Sequence, residues 1–109
     1  MSAPAPAASG SFALTATAPG TLRAAGPLTF ATARAARLAG LAAVRSGTEP
    51  LQIDCAGLSG ADSAGLAVVL DWFAAAKAAG RSLRLSALPQ DLLALARISD
   101  LERLLTQGL

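Results

Sequence analysis

The stretch "DCAGLSGADSAGLAVVLDWFAAAK", residues 54–77, decides how this chain is read. It starts as the end of an apolar strand, passes through small residues, and turns into a helix. Leu66, Val69, Leu70 and Phe73 recur at i, i+3, i+4 and i+7, the spacing of a helical face turned to a core. Ala64, Ala67, Val68, Asp71 and Ala75 fall on the opposite side of that wheel, with Trp72 at its margin. Long charged side chains, usual on a solvated helix, are almost missing there. Gly80 is placed to end the helix, expected over about 63–79. Asp62 and Ser63 stand at its start, where either side chain can accept from free backbone N–H groups and stabilise by about 1 kcal/mol. One capping residue suffices. The small residues around the pair also leave its backbone and hydroxyl open to a visitor. An Ala-rich helix with nothing docked on it would read similarly, because Ala is the best helix former.

Upstream, "LQIDC" (51–55) alternates Leu51, Ile53 and Cys55 against Gln52 and Asp54, a half-buried strand, with "AGLSGAD" expected as the loop into the helix. Residues 11–17, "SFALTAT", alternate in the same way, and after the Pro19-Gly20 turn "TLRAAG" returns as a second strand. Thr29 to Val44 is rich in Ala, Leu and Arg and predicts a helix, with Phe30, Ala33, Ala36 or Arg37, Leu41 and Val44 on one side. Downstream, "RSLRLSA" alternates Leu83 and Leu85 against Arg84, Pro89 suits the first turn of a last helix, and the end of the chain adds a short helix or strand. The order β-β-α-β-α-β-α calls for right-handed crossovers and parallel pairing after an opening hairpin. Alternating strands imply helices chiefly on one side. The expected fold is therefore a small single α/β domain over 11–109, with a mixed, mostly parallel sheet of about four to five strands.

At 109 residues there is room for one core, and 53% hydrophobic with 4% aromatic residues makes it a core of Leu, Ala and Val. The net charge of +2 is small and the arginines are scattered, which argues against nucleic acid as a partner. Cys55 is the single cysteine and reads as a core residue suited to a reducing compartment. "MSAPAPAASG" lacks the basic and apolar regions of a secretory signal and reads as a disordered tail, 1–10. The longest apolar run is too short to cross a bilayer, so direct membrane insertion is not expected and the cytoplasm is. With no histidine or tyrosine, the usual general base, metal ligand and Ser-His-Asp arrangement are missing. No phosphate loop or metal-ligand spacing occurs, so the reading is not an enzyme, with no cofactor and no metal. A paired-carboxylate site of Asp54 and Asp62 depends on the direction of the strand and stays open.

The segment "LQIDCAGLSGADSAGLAVVLDWFAAAKAAGRSLRLSALP" (51–89), with D-S-x-G-L opening a helix, resembles the core of a STAS domain. That family includes anti-sigma-factor antagonists and sulfate-transporter tails. In antagonists the serine after the motif aspartate is phosphorylated by a partner kinase, and the matching position here is Ser63. A phosphate there would add about −1.5 to −2 charges beside Asp62 and oppose docking. The ending "LRLSALPQDLLALARISDLERLL" (83–105) is more similar to the small cytoplasmic STAS subunit of the Mla-type ABC system for phospholipids, and Gly26-Pro27-Leu28 departs from the GEL-like turn of antagonists. The resemblance implies docking on an ABC-transporter ATPase, in complex with a permease, peripheral to the inner membrane through that partner. The surface expected to carry the contact is Asp62, Ser63, Ala64, Gly65, Ala67, Val68 and Asp71, with Trp72 at the rim. The alternative is an antagonist that binds an anti-sigma kinase.

Overall fold

The computed structural model describes residues 10–109; most of the tail expected over 1–10 lies outside the described residues. Strands β1 (Ala13–Ala18) and β2 (Thr21–Leu28) form the opening hairpin around Gly20, whose positive φ of 74° only glycine adopts freely. Helix α1 (Ala33–Arg45), strand β3 (Leu51–Ala61), helix α2 (Ser63–Ala78) and strand β4 (Leu83–Ser86) follow, then helices α3 (Gln90–Ile98) and α4 (Glu102–Gln107). The sheet has four strands in the order β1-β2-β3-β4, antiparallel between the first two and parallel thereafter. The expected α/β fold is found, including the mixed sheet.

One side of the sheet carries the core. Along β3, Leu51, Ile53 and Cys55 are buried while Gln52 and Ala56 are exposed, and in β4 Leu83 and Leu85 are buried while Arg84 is exposed. Both crossovers advance in the same direction across the sheet, so α1 and α2 share a side and run parallel to each other. Trp72 of α2 seals the joint: its indole Nε1 donates to the Ala36 carbonyl (3.1 Å), and its ring lies where a Cβ on Gly40 of α1 would collide. Phe12 adds a tilted ring contact to Trp72 at 6.1 Å between centroids.

A buried arginine fixes the far end of α1. Arg81 is 3% exposed and donates from Nη1 to the carbonyls of Ala43 and Val44, from Nε to that of Glu49, and from Nη2 to the Glu49 carboxylate. It leaves α2 through a Schellman turn. Gly80 takes a positive φ of 68°, its N–H donates to Lys77, and the Arg81 N–H donates to Ala76.

Three local expectations change. Residues 56–61, expected as loop, continue β3, because β2 also runs on through Gly26-Pro27-Leu28 and pairs with them up to Leu28↔Ala61. Two register shifts each insert an extra β3 residue against β2, and a Cβ on Gly57 would meet the Ala24 carbonyl at 2.7 Å. Gly26-Pro27-Leu28 is accordingly strand rather than turn. Third, α1 starts at Ala33 and not at Thr29. The buried Thr32 hydroxyl donates back to the Pro27 carbonyl (2.8 Å) and accepts from the Thr29 N–H, holding 29–32 as a turn. Phe30 is thereby 83% exposed instead of lying on the packed side of a helix.

Candidate functional site

The parallel pairing of β2 and β3 brings two chain turns to one end of the sheet: Thr29–Thr32, leading into α1, and Asp62–Ser63, leading into α2. Asp62 ties them together. Its Oδ1 accepts from the Gly65 N–H (3.0 Å), the N-cap bond of α2, and its Oδ2 accepts from the Phe30 N–H (3.0 Å). Both bonds favour the carboxylate. The Phe30 N–H, followed by that of Gly65, holds the Asp62 carboxyl below its ordinary value of 3.8.

Of the two capping candidates, Asp62 alone is the cap. Ser63 is the first residue of α2 and exposed, and no described residue hydrogen-bonds its hydroxyl. A negative group placed on it would sit at the positive end of the helix dipole. Gly65 is buried because a Cβ there would strike the Leu28 carbonyl; the glycine lets the helix start close on the end of β2.

The candidate surface beyond this point is smaller than the wheel suggested. Ala64, Ala67 and Asp71 line the outer side of α2, Ala67 and Asp71 exposed and Ala64 half-buried. Asp71 accepts from Arg37 Nε of α1 (3.0 Å), an exposed pair that contributes little to stability. Val68 and Trp72 were expected outward and at the rim. They are 3% and 1% exposed, because α1 packs against that side of α2, and neither reaches a visitor. Gly65, also expected in the contact surface, is likewise inside.

Sequence reading missed Phe30, the exposed aromatic beside Asp62 and Ser63. The signal was present in Thr29 and Thr32, whose hydroxyl-to-backbone bonding delays a helix start. Asp54 does not join Asp62. It lies in the first half of β3, with its Oδ1 accepting from the Ala56 N–H, and the seven strand residues between them set the two carboxylates roughly 20 Å apart. No paired-carboxylate site forms. Burial, then the charge of Asp54, pushes the Cys55 thiol up to about 12, so it is no nucleophile. Among the described residues no group of three or more Cys, Asp or Glu is placed to hold a metal. Concavities open elsewhere, at Arg97, Asp100, Glu102 and Arg103, around Pro19, Pro50 and Arg84, and at Lys77, Gly80 and Leu109. The end of the sheet at Ser63 thus offers a surface.

Residues 13–106 match the family profile described as "Mlab, STAS domain", and the chain belongs to the STAS domain family. Its fold is similar to that of the anti-sigma factor antagonist SpoIIAA in its unphosphorylated form, with a TM-score of 0.58 at 20% identity, covering 82% of this chain and 81% of that one. A search of curated proteins finds no match. Among the described residues no helix is long and apolar enough to cross a membrane.

Proposed function

We propose that this STAS domain is a non-enzymatic accessory or regulatory subunit that works by binding another protein through the start of α2. The observation that carries this reading is the division of labour at 62–63. Asp62 takes the capping role, and Ser63 is left exposed with Ala67 and Asp71 beyond it and Phe30 beside it. Aromatic side chains, Phe among them, are enriched where proteins meet, and Phe30 is 83% exposed.

The finer assignment is to the ATPase of an ABC transporter that moves phospholipids between Gram-negative membranes. The family description of the matching profile and the Leu-rich ending at 83–105 support it. The domain would sit at the cytoplasmic side of the inner membrane, held there by its partner. The second reading is an anti-sigma antagonist switched by phosphorylation of Ser63, favoured by the accessible hydroxyl and by the likeness in fold to SpoIIAA.

Affinity isolation from the native host, with mass spectrometry of the partners and of Ser63, separates the two. Recovery of an ABC ATPase and permease with unmodified Ser63 supports the transport subunit; recovery of a soluble kinase with phosphorylated Ser63 replaces it by the switch. With the recovered partner, Ser63→Glu and Ala67→Arg are each expected to weaken binding at least tenfold. Unchanged affinity in both variants would remove the start of α2 from the interface.

A further inference from the structure

The two edges of the sheet differ. At β4 the end of the chain covers the edge: the Leu109 N–H donates to the Leu83 carbonyl (3.1 Å), and Gly108 lies against Leu83 and Arg84. At β1 no described residue pairs with the outer side. In an antiparallel strand every second residue turns its N–H and C=O away from the paired neighbour. Edge strands normally carry charges or proline that discourage further pairing. Ala13–Ala18 has neither, and Thr15 to Ala18 are exposed. The register is irregular only between Ala16 and Ala18.

The packing beside this edge is also incomplete. Ala24 and Leu28 of β2 and Leu83 of β4 face the core fully buried, whereas Phe12 and Leu14 are half-buried and Ala16 is exposed. Above them, α1 turns Ala36, Arg37 and Gly40 toward α2. Ala35, Leu38, Ala39 and Ala42 therefore fall on its other flank and crest, with Leu38 52% exposed.

We propose that the outer edge of β1, with this flank of α1, is a homodimer interface. Two β1 strands pair antiparallel about a two-fold axis near Thr15, joining two four-stranded sheets into one. A second copy is the occupant that fits. Antiparallel β1–β1 pairing is self-complementary, the strand itself carries no charge, and half-buried Leu14 gains cover from Ala16 of the partner subunit. The area agrees with a weak dimer: a strand about 20 Å long with its helix layer buries on the order of 1,000 Å² in total, below standard-size interfaces and in the range of weak ones. The expected Kd is on the order of 10 µM. Ser63 and Ala67 stay uncovered, so this association is independent of the docking proposed above.

Analytical ultracentrifugation of the full chain over a range of concentrations tests it. The unchanged protein is expected to show a monomer–dimer equilibrium. Thr15→Lys, which sets like charges opposite each other across the axis, and Leu38→Glu are each expected to weaken it at least tenfold without changing the circular dichroism spectrum. Thr15→Cys is expected to give an oxidised dimer, the buried Cys55 taking no part. A full chain that stays monomeric at about fifty times the expected Kd overturns the proposal, even if removing residues 2–9 releases a dimer, since the tail is then the occupant. A dimer insensitive to both Thr15→Lys and Leu38→Glu overturns it as well.

Discussion

The carboxylate of Asp62 joins backbones 32 residues apart, at Phe30, and caps its own helix with the other oxygen. Because both bonds favour the charged form, its pKa is lower in the folded chain than in the unfolded one. The stabilisation is therefore complete above the unfolded carboxyl value of 3.8 and is lost as pH falls through the lowered folded value. Asp62→Asn keeps a capping oxygen but removes the titration. Thermal melts are expected to show a stability gap between the native chain and this variant that is flat from about pH 5 to 8 and narrows in acid below about pH 4. A gap constant into strong acid would show that the Phe30 and Gly65 bonds do not depend on the charge. The cap was legible in sequence, as D-S before a helical face. Its second bond was not, since nothing local connects Asp62 to Phe30.

The ends of α1 are set by residues outside it. Thr32 delays the start through bonds to Pro27 and Thr29, and Arg81 accepts the duty of satisfying the last carbonyls at Ala43 and Val44 from the far side of α2. One guanidinium serving three carbonyls and a carboxylate is beyond the reach of an ammonium group. Arg81→Lys is accordingly expected to lose about 1–2 kcal/mol and Arg81→Ala about 2–4 kcal/mol, read as shifts in denaturant midpoint. Equal, small losses in both variants would mean that water replaces the guanidinium at the end of α1. In sequence Arg81 looked like one more scattered surface charge. Only the Schellman turn at Gly80, bringing it back beneath α1, makes it a core residue.

At the scale of the molecule, the sheet is packed on one side and, among the described residues, open on the other. Thr15, Gln52 and Arg84 stand on the open side, while Leu83 and Ile53 lie within the core with 0% and 1% exposure. Replacing each of the first group by Ala is expected to change stability by no more than about 0.5 kcal/mol, whereas Leu83→Ala is expected to lose about 2–5 kcal/mol. Large losses at Gln52 and Arg84 in equilibrium unfolding would reveal a partner layer on the open side. Alternation along β3 and β4 gave this division directly, because a strand has a period of two whatever it packs against. The α2 wheel was less informative. Its inward residues Leu66, Val69 and Phe73 came out as expected, but Val68 and Trp72 are buried by a second helix that a wheel drawn for one sheet does not contain.

By itself, the sequence determined the α/β class, the order of the main elements, the inward residues of the strands, and the D-S-x-G-L segment where the family resemblance and the helix cap coincide. These follow from short-range rules: period-2 and period-3.6 patterning, glycine at positive φ, and an aspartate before a helix. Tertiary structure decided what depends on neighbours distant in the chain. It extended β3 to Ala61 by pairing it with β2, buried Trp72 under Ala36 and Gly40, enclosed Arg81, and left Phe30 in solvent beside Ser63. The physical reason is common to the first three, whereas the turn that exposes Phe30 is local, held by Thr32 to Pro27 and Thr29. Burial and backbone pairing are set by whichever segment arrives alongside, and that segment lies about thirty residues or more away in sequence, outside any local pattern.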